Sequence, residues 1–257
     1  MTMRTASLLL VAMFMSQTGD AITIRPARSN DATTVRMRVL PDGDFVATGV
    51  SVLALIGYAY DVPVNPSPRL SGPLENRTRY DIDVKASDKR VGAQELIRQL
   101  LTDRFKLDMR VEEKTVPVYA LTVAAGGITF QKSATAEKDC VFDTGTPSGC
   151  HSFRIGRGHP LDGDAITMDD LARYIENWSD LPVVNRTALT GLFDVQTDGW
   201  RPMTLPPPPP GGNPPGFAGY DDLPTIFAVL RPLGLELKPQ QATVPFYTVA
   251  HIEKPSA

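Results

Sequence analysis

The two cysteines are the residues whose type and spacing point most directly to chemistry. Cys140 and Cys150 lie nine residues apart in a polar stretch, KDCVFDTGTPSGCHS. In an oxidising compartment such a pair forms a disulfide, which over so short a loop contributes about 2–3 kcal/mol. The alternative is a metal site built from Cys140, Cys150, His151 and His159, but its C-x9-C-H-x7-H spacing matches no familiar zinc framework. We therefore predict the disulfide.

Aspartates form a second group of candidates. Asp81 and Asp83 alternate along a predicted strand and so share one face, and Asp169 and Asp170 begin a predicted helix. Two carboxylates facing each other across about 5–10 Å would support a hydrolase acting on an envelope or extracellular polymer. This hydrolase is the alternative to a binding role.

The motifs of common enzymes are absent from the sequence. It contains no H-E-x-x-H, G-x-S-x-G, S-x-x-K or P-loop lysine motif. The pairs Asp42/Asp44 and Asp162/Asp164 offer two carboxylates each, whereas calcium takes six to eight oxygens, so we interpret both as turns. We predict no catalytic, cofactor-binding or metal-binding residue, and no cofactor.

The first twenty residues have the pattern of an export signal. A positive start is followed by a ten-residue apolar run, ASLLLVAMFM, and then by polar and small residues. The run is too short to span a bilayer, and no later segment reaches 18 apolar residues. We predict a signal peptide over residues 1–20 and a periplasmic or secreted mature protein without a membrane span.

Composition excludes two further classes. The chain has 257 residues, of which 42% are hydrophobic, so intrinsic disorder over most of its length is excluded. Its 26 Lys and Arg against 29 Asp and Glu give no basic surface for nucleic acid. The length allows one or two domains.

The chain repeats itself. Five short strings recur in the same order, with offsets between 109 and 128 residues, as collinear copies with loop insertions would. The pairs are Asp42-Gly43-Asp44 with Asp162-Gly163-Asp164, Asp61-Val62-Pro63-Val64 with Asp180-Leu181-Pro182-Val183, Asn76-Arg77-Thr78 and Tyr80-Asp81-Ile82 with Asn185-Arg186-Thr187 and Phe193-Asp194-Val195, Leu107-Asp108-Met109-Arg110 with Leu235-Glu236-Leu237-Lys238, and Thr115-Val116-Pro117-Val118-Tyr119 with Thr243-Val244-Pro245-Phe246-Tyr247.

Each copy is predicted to be a β-α-β-β-α-β-β unit, so the fold class is α+β, with helices on small mixed or antiparallel sheets. Asp42-Gly43 predicts a hairpin turn, and a helix follows over 52–60. In the second copy Thr167 is the predicted N-cap, with Asp170 three residues on. A strand at 107–111 precedes a separate strand at 116–123, whose dense apolar run predicts burial on both faces.

These elements give four segments. The signal peptide occupies 1–20, the first repeat 21–130, a disulfide-containing connector 131–152, and the second repeat 153–257. A proline-rich insertion at 202–219, with five consecutive prolines, interrupts the second repeat. We interpret it as a stiff spacer, the alternative being a docking segment for an aromatic groove.

Several strings resemble a family of soil-associated bacterial exported proteins of unknown function. The most specific is LLTDRFKL at 100–107, followed by Pro117-Val118-Tyr119, and the resemblance covers the whole mature chain. The chain departs from the family where Leu74-Glu75 follows Gly72-Pro73 in place of a tryptophan, and where Asn185-Arg186 replaces Asp-Lys. The resemblance implies no catalytic residue; relatives fused behind membrane sensor-peptidases imply sensing or binding.

Each half also resembles the short N-terminal domain of secretins and TonB-dependent receptors, which are periplasmic interaction modules. Together these points favour an exported, non-enzymatic interaction or sensory module with an envelope or extracellular protein partner. Such a module should present an apolar groove or sheet edge and no cluster of convergent titratable groups. A small-ligand carrier with its pocket between the copies is a further alternative.

The disulfide has a direct test. Alkylation of the unfolded, unreduced mature protein should leave both Cys140 and Cys150 unlabelled, because neither carries a free thiol. Mass spectrometry reads the result, and two alkylated cysteines would refute the bond.

Overall fold

A computed structural model describes residues 21–27, 35–40, 42–64, 68–74, 78–88, 91–144, 150–154, 158–203, 220 and 222–255. The predicted signal peptide and residues 204–219 of the proline-rich insertion lie outside this part of the chain. In the described part no helix is both long and apolar enough to cross a membrane.

The fold is α+β, with short helices and three four-stranded sheets in the described residues. The α-helices are α1 (Val52–Tyr60), α2 (Ala93–Phe105), α3 (Met168–Glu176) and α4 (Ile226–Leu230). The strands are β1 (Ala21–Pro26), β2 (Arg36–Val39), β3 (Phe45–Ser51), β4 (Leu70–Ser71), β5 (Arg79–Lys85), β6 (Asp108–Val123), β7 (Gln131–Lys132), β8 (Ser152–Phe153), β9 (Gly163–Ile166), β10 (Val183–Asn185), β11 (Phe193–Val195) and β12 (Leu235–His251).

The first sheet is antiparallel in the order β1-β5-β3-β2. Every second residue of β5 is buried, as a half-buried strand requires, and these residues pack against α1 and α2. The helix predicted over 52–60 has those bounds in the structure. Its core partners include Phe45, Ile82, Leu100 and Phe105, all almost completely buried.

The third sheet is also antiparallel, in the order β7-β11-β9-β8. It packs with α3 and α4 around a second core that contains Phe193, Leu171, Leu230 and the fully buried Trp200. Phe227 of α4 lies at the surface beside this core. Its side chain is 39% exposed and its ring packs edge-on against Tyr119, because α4 is only five residues long.

The second sheet, β10-β6-β12-β4, combines strands from the first and the second half of the chain. β6 and β12 pair antiparallel from Val123 with Leu235 to Asp108 with His251. At its edges β10 runs parallel to β6 and β4 runs parallel to β12. The early strand β4 therefore bonds the late strand β12, and the late strand β10 bonds the earlier β6, so neither end can separate without breaking main-chain pairing.

The long strand β6 corrects one prediction. Residues 107–111 and 116–123 do not form two strands; one continuous strand runs through them. Val118, Ala120 and Leu121 are buried, but the segment from Glu112 to Thr115 is exposed. β10 and β4 pair only with residues 119–121 of β6 and residues 247–248 of β12, so the middle of the β6–β12 ribbon has no paired strand at either edge among the described residues.

The two Asp-Gly-Asp strings have different conformations. Gly43 has a φ of 84° in the predicted turn, and its N–H donates to Leu40 O at 2.8 Å. Gly163 instead begins β9 and pairs with Phe153, so the turn predicted at Asp162-Gly163 is wrong. A Cβ on Gly163 would lie 2.8 Å from Ile166 Cγ2, so packing requires glycine there.

A buried ion pair ties α3 to the segment before β4. Arg69 Nε donates to Glu176 Oε1 at 2.6 Å and Nη2 donates to Oε2 at 3.0 Å, while Glu176 Oε2 also accepts Val183 N–H at 3.2 Å. The Glu176 side chain is 1% exposed. A charge this deeply buried depends on its partner, because it has no access to water.

Glu176→Gln should destabilise the fold by about 3 kcal/mol, because it leaves the Arg69 guanidinium without its counter-charge. Urea unfolding followed by circular dichroism measures the change. The matched control is Glu112→Gln, which removes an exposed pair with Lys114 and should change stability by less than about 0.5 kcal/mol. Equal losses in the two variants would contradict the role assigned to the buried pair.

Candidate functional site

The largest cleft described here has a volume of about 700 Å³ and lies between α1 and α3. Ala54, Gly57 and Tyr58 of α1 line one side, and Asp170 and Arg173 of α3 line the other. Its volume falls within the range of small-molecule sites, which commonly lie between structural units.

The ends of both helices place charged groups in this cleft. α1 begins with Ser51 as N-cap and ends at Asp61, whose φ of 52° turns the chain at the cleft. α3 begins with the predicted capping box, in which Thr167 and Asp170 bond each other's backbone N–H. Asp170 is therefore held by its own helix before it makes any tertiary contact.

The connector forms a wall of the cleft. Residues 142–144 run along β2, where Val39 N–H donates to Phe142 O and Thr144 N–H donates to Met37 O, both at 3.0 Å. The Phe142 ring lies 4.4 Å from the ring of Tyr58 on α1. Burial raises the pKa of Tyr58 to about 12, so its hydroxyl stays protonated at neutral pH.

The predicted disulfide between Cys140 and Cys150 is present and closes a loop within the connector. His151 follows Cys150 directly and has a φ of 58°. A φ in this region is uncommon for a residue with a Cβ. In this conformation the His151 ring lies between Glu137 of the connector and Asp170 of α3.

Five side chains form a chain of alternating charge along the cleft. His151 Nε2 donates to Glu137 Oε1 at 2.9 Å, and its Nδ1 donates to Asp170 Oδ2 at 2.7 Å. Arg173 Nη2 donates to Asp170 Oδ1 at 2.7 Å, and Nη1 pairs with Asp61. This charge chain, Asp61–Arg173–Asp170–His151–Glu137, connects the end of α1, the start of α3 and the connector.

The charge chain shifts the pKa of its central members. The hydrogen bond to Asp170 raises the pKa of His151 to about 9; burial opposes this, and the charges of Asp170 and Glu137 add to it. Burial would raise the pKa of Asp170, but hydrogen bonds from His151 and Thr167 outweigh burial and lower it. Near neutral pH the pair is therefore an imidazolium and a carboxylate.

This arrangement holds groups in place more readily than it transfers protons. Both His151 ring nitrogens already donate to carboxylates, so neither can accept a proton from a substrate. The nearby Thr167 hydroxyl donates to Asp170, a weak base because its pKa is lowered. Convergent titratable groups are nevertheless present, contrary to what we expected for an interaction module.

The structure does not bring the four candidate aspartates into one site. Asp81 and Asp83 share a face of β5, as predicted; Asp81 accepts Gly49 N–H at 2.9 Å, and Asp83 lies 3.6 Å from Lys85. Both line a shallow depression on the first sheet. Asp169 and Asp170 lie in the cleft, where Asp169 accepts from Asn185. The four aspartates therefore form two separate pairs, one on the first sheet and one in the cleft.

The structure does not bring the four ligands of the alternative metal site together: Cys140 and His151 meet Glu137, and His159 lies elsewhere. Cys140 and Cys150 are joined to each other and offer no thiolate. His159 stacks on Trp178 with 3.7 Å between ring centroids, and burial lowers its pKa, so it is a neutral packing residue. His151 binds two carboxylates.

Sequence reasoning missed several residues of the cleft. Asp61 was noticed only as part of a recurring string, and Glu137 and Phe142 carry no local signal because their partners are distant in sequence. Arg173 lies three residues after Asp170, a spacing at which side chains on a helix are neighbours, and this could have been recognised.

Fold and site together define an α+β protein with a polar and aromatic cleft between two sheet-and-helix units. Residues 53–252 match the model of a family described as a protein of unknown function, DUF3738. The chain belongs to this family of unknown function; the soil association and the export that the resemblance of its strings implied stay predictions. Comparison with curated proteins and with solved structures gives no match.

The charge chain makes stability depend on pH in a defined direction. The pKa of His151 in the folded protein, about 9, exceeds its ordinary value of 6.5, so protonated His151 stabilises the fold fully below pH 6.5. That contribution is lost as the pH rises through 9. The difference in unfolding free energy between wild type and His151→Gln should therefore shrink from about pH 6 to about pH 10.

Urea titrations across this range measure the difference, and an NMR titration of the ring protons that His151→Gln removes gives the pKa itself. His251→Gln is the control, since its ring pairs with Glu253 on the exposed C-terminal segment. If the difference in unfolding free energy stays constant with pH, or if the NMR titration of His151 has its midpoint near 6.5, the charge chain does not stabilise the protonated form of His151.

Proposed function

We propose that this chain is an exported, non-enzymatic binding module that receives its ligand in the cleft between α1 and α3. The observation that carries the proposal is the cleft itself: about 700 Å³, bordered by the Tyr58–Phe142 ring pair and by charges that are already paired with one another. Pre-formed sites of this kind fix a ligand's orientation without needing proton transfer.

Export is supported by two features of the chain. Residues 1–20 have the charged, apolar and small-residue pattern of a signal peptide, and a disulfide persists in oxidising compartments outside the cytoplasm. The mature protein would then act in the periplasm or outside the cell, where an envelope or extracellular protein is the expected partner. The sensor-fused relatives and the secretin-like and TonB-like halves suggested by the sequence fit such a role.

We further propose that the two units are copies of one ancestral module, within segments 21–130 and 153–257 joined by the connector 131–152. The first and third sheets support this, because they follow the same strand order, β1-β5-β3-β2 and β7-β11-β9-β8, with β7 and the first residue of β8 supplied by the connector. Both have a helix directly after the third strand of the unit, with Ser51 or Thr167 as N-cap.

Details of backbone geometry agree with this relationship. Gly49 and Ala165 both have positive φ, at 61° and 50°, and each donates its N–H to an aspartate of the neighbouring strand, Asp81 at 2.9 Å and Asp194 at 2.8 Å. These aspartates occupy matching places in the recurring strings. Thr115 and Thr243, also matched, pair directly, with their hydroxyl oxygens 2.8 Å apart.

Duplication gives the cleft its form. If the units are related by a local two-fold through the Thr115–Thr243 pair, α1 and α3 are counterparts, and the cleft lies between equivalent helices. Only the second copy contributes His151 and Asp170, because Ala54 takes the place of Asp170 three residues after the N-cap. The cleft is therefore asymmetric and can orient a ligand.

The proposal is tested by blocking the cleft. Ala54→Trp places an indole in the cleft, and Gln99→Trp puts the same side chain on the exposed face of α2 as a matched control. Immobilised mature wild type, Ala54→Trp and Gln99→Trp are incubated with envelope extract, and retained proteins and small molecules are identified by mass spectrometry. Wild type and Gln99→Trp should retain the same species, and Ala54→Trp should lose it.

Equal retention by all three proteins would place binding elsewhere and contradict the proposal. Retention of a small molecule in place of a protein would identify a carrier, and conversion of an extract component by wild type alone would identify an enzyme. Circular dichroism of each variant confirms that the fold is kept.

A further inference from the structure

Four metal-ligating side chains meet at the disulfide. Ligand atoms of Glu137, Cys140 and His151 lie within 4.8 Å of one another, and Cys150 adds the sulfur bonded to Cys140. The cleft function uses neither sulfur. A carboxylate, an imidazole and two sulfurs are the donor set that Zn²⁺ accepts in proteins.

We propose that the reduced, dithiol form of this chain binds one Zn²⁺ ion through Cys140, Cys150, His151 and Glu137. The site has no counterpart in the disulfide form, which lacks thiolates, so metal and disulfide exclude each other. Zinc bonds of about 2.0–2.3 Å in a tetrahedron place donor atoms about 3.3–3.8 Å apart. The donor atoms of Glu137, Cys140 and His151, at most 4.8 Å apart, have to approach by about 1–1.5 Å at most, and the two sulfurs have to move apart once their bond is broken.

The surroundings of His151 suit a metal ligand. Asp170 accepts from Nδ1 at 2.7 Å and so directs Nε2 toward Glu137, 2.9 Å away. A carboxylate on the far nitrogen of a histidine is the usual support of a zinc ligand, fixing both the tautomer and the ring plane. The capping box of α3 holds Asp170 in turn, so this support does not depend on the disulfide.

Solvent can reach the site. Glu137 is exposed and Cys140 and His151 are half-buried, and Glu137 and His151 line the cleft. An ion arriving through the cleft displaces only the Glu137–His151 hydrogen bond. It leaves the Asp170–His151 bond in place.

The chemistry balances with a small dithiol as reductant. Two thiol–disulfide exchanges break the Cys140–Cys150 bond, oxidise the dithiol to a cyclic disulfide and leave two cysteine thiols. Zn²⁺ then binds both sulfurs and His151 Nε2, releasing one proton from each thiol and one from Nε2, and Glu137 binds as the carboxylate. Exchange with the cyclic disulfide, which is reduced to the dithiol and takes up two protons, re-forms the Cys140–Cys150 bond and expels the ion.

Cobalt tests the site, since Co²⁺ takes the same ligands and reports tetrahedral thiolate coordination in its visible spectrum. Full-length mature protein, oxidised or reduced with an excess of dithiol that is then removed without air, is titrated with Co²⁺ and then with Zn²⁺. The reduced protein should bind one Co²⁺ with a thiolate-to-cobalt charge-transfer band, which Zn²⁺ abolishes. The oxidised protein should show no such band.

Variants show whether the metal is held by all four proposed ligands or by the two free thiols alone. In the reduced protein His151→Gln and Glu137→Gln should each weaken binding at least tenfold, and His251→Gln should not. Unchanged affinity in His151→Gln, or absence of the band from reduced wild type, overturns the proposal. So does a reduced chain whose circular dichroism shows unfolding that Zn²⁺ does not reverse. None of these results bears on ligand binding in the cleft of the disulfide form, which the Ala54→Trp experiment tests separately.

Discussion

The antiparallel pairing of β6 with β12 is the constraint on which the remaining structure depends. It joins a strand from the middle of the chain to the last strand, and the short edge strands β10 and β4 complete the sheet. This arrangement sets the two units side by side. Main-chain hydrogen bonds carry the attachment, and the buried Arg69–Glu176 pair fixes α3 against it. The cleft between α1 and α3 follows from that placement, since the sheet determines which helices face each other.

Within this frame the connector does more than link two units. It lies along β2, stacks Phe142 on Tyr58, and carries the disulfide that places His151 beside Asp170. The charges meeting there satisfy one another, which explains how carboxylates and cations occupy one cleft without unpaired charge. The two cysteines of this disulfide are also ligands of the proposed zinc site. The proposed zinc site and the proposed ligand cleft therefore share one short segment of the chain.

Local patterns were predicted well where one element alone decides the outcome. The bounds of α1 follow from its apolar run and from Ser51, and the α3 capping box follows from the spacing of Thr167 and Asp170. The predictions failed where contacts with another element of the fold determine the local conformation. The apolar run at 116–123 does not reveal that its preceding charged residues continue the same strand. Gly163 stands in the same Asp-Gly-Asp string as Gly43 but has another conformation. Its surroundings are set by Ile166 and Ser152, which leave no room for a side chain at this position.

By itself the sequence determined the elements, the pairing of its only two cysteines, the membership of a family of unknown function and the recurrence of five strings. These are properties of residue type and short spacing. Only the tertiary structure decided that Asp61, Arg173, Asp170, His151 and Glu137 form one charge chain. Asp61 and Glu137 are separated by 76 positions, and their approach depends on how β6 and β12 pair and on where the connector lies. Long-range contacts of this kind leave no periodicity for a single sequence to reveal.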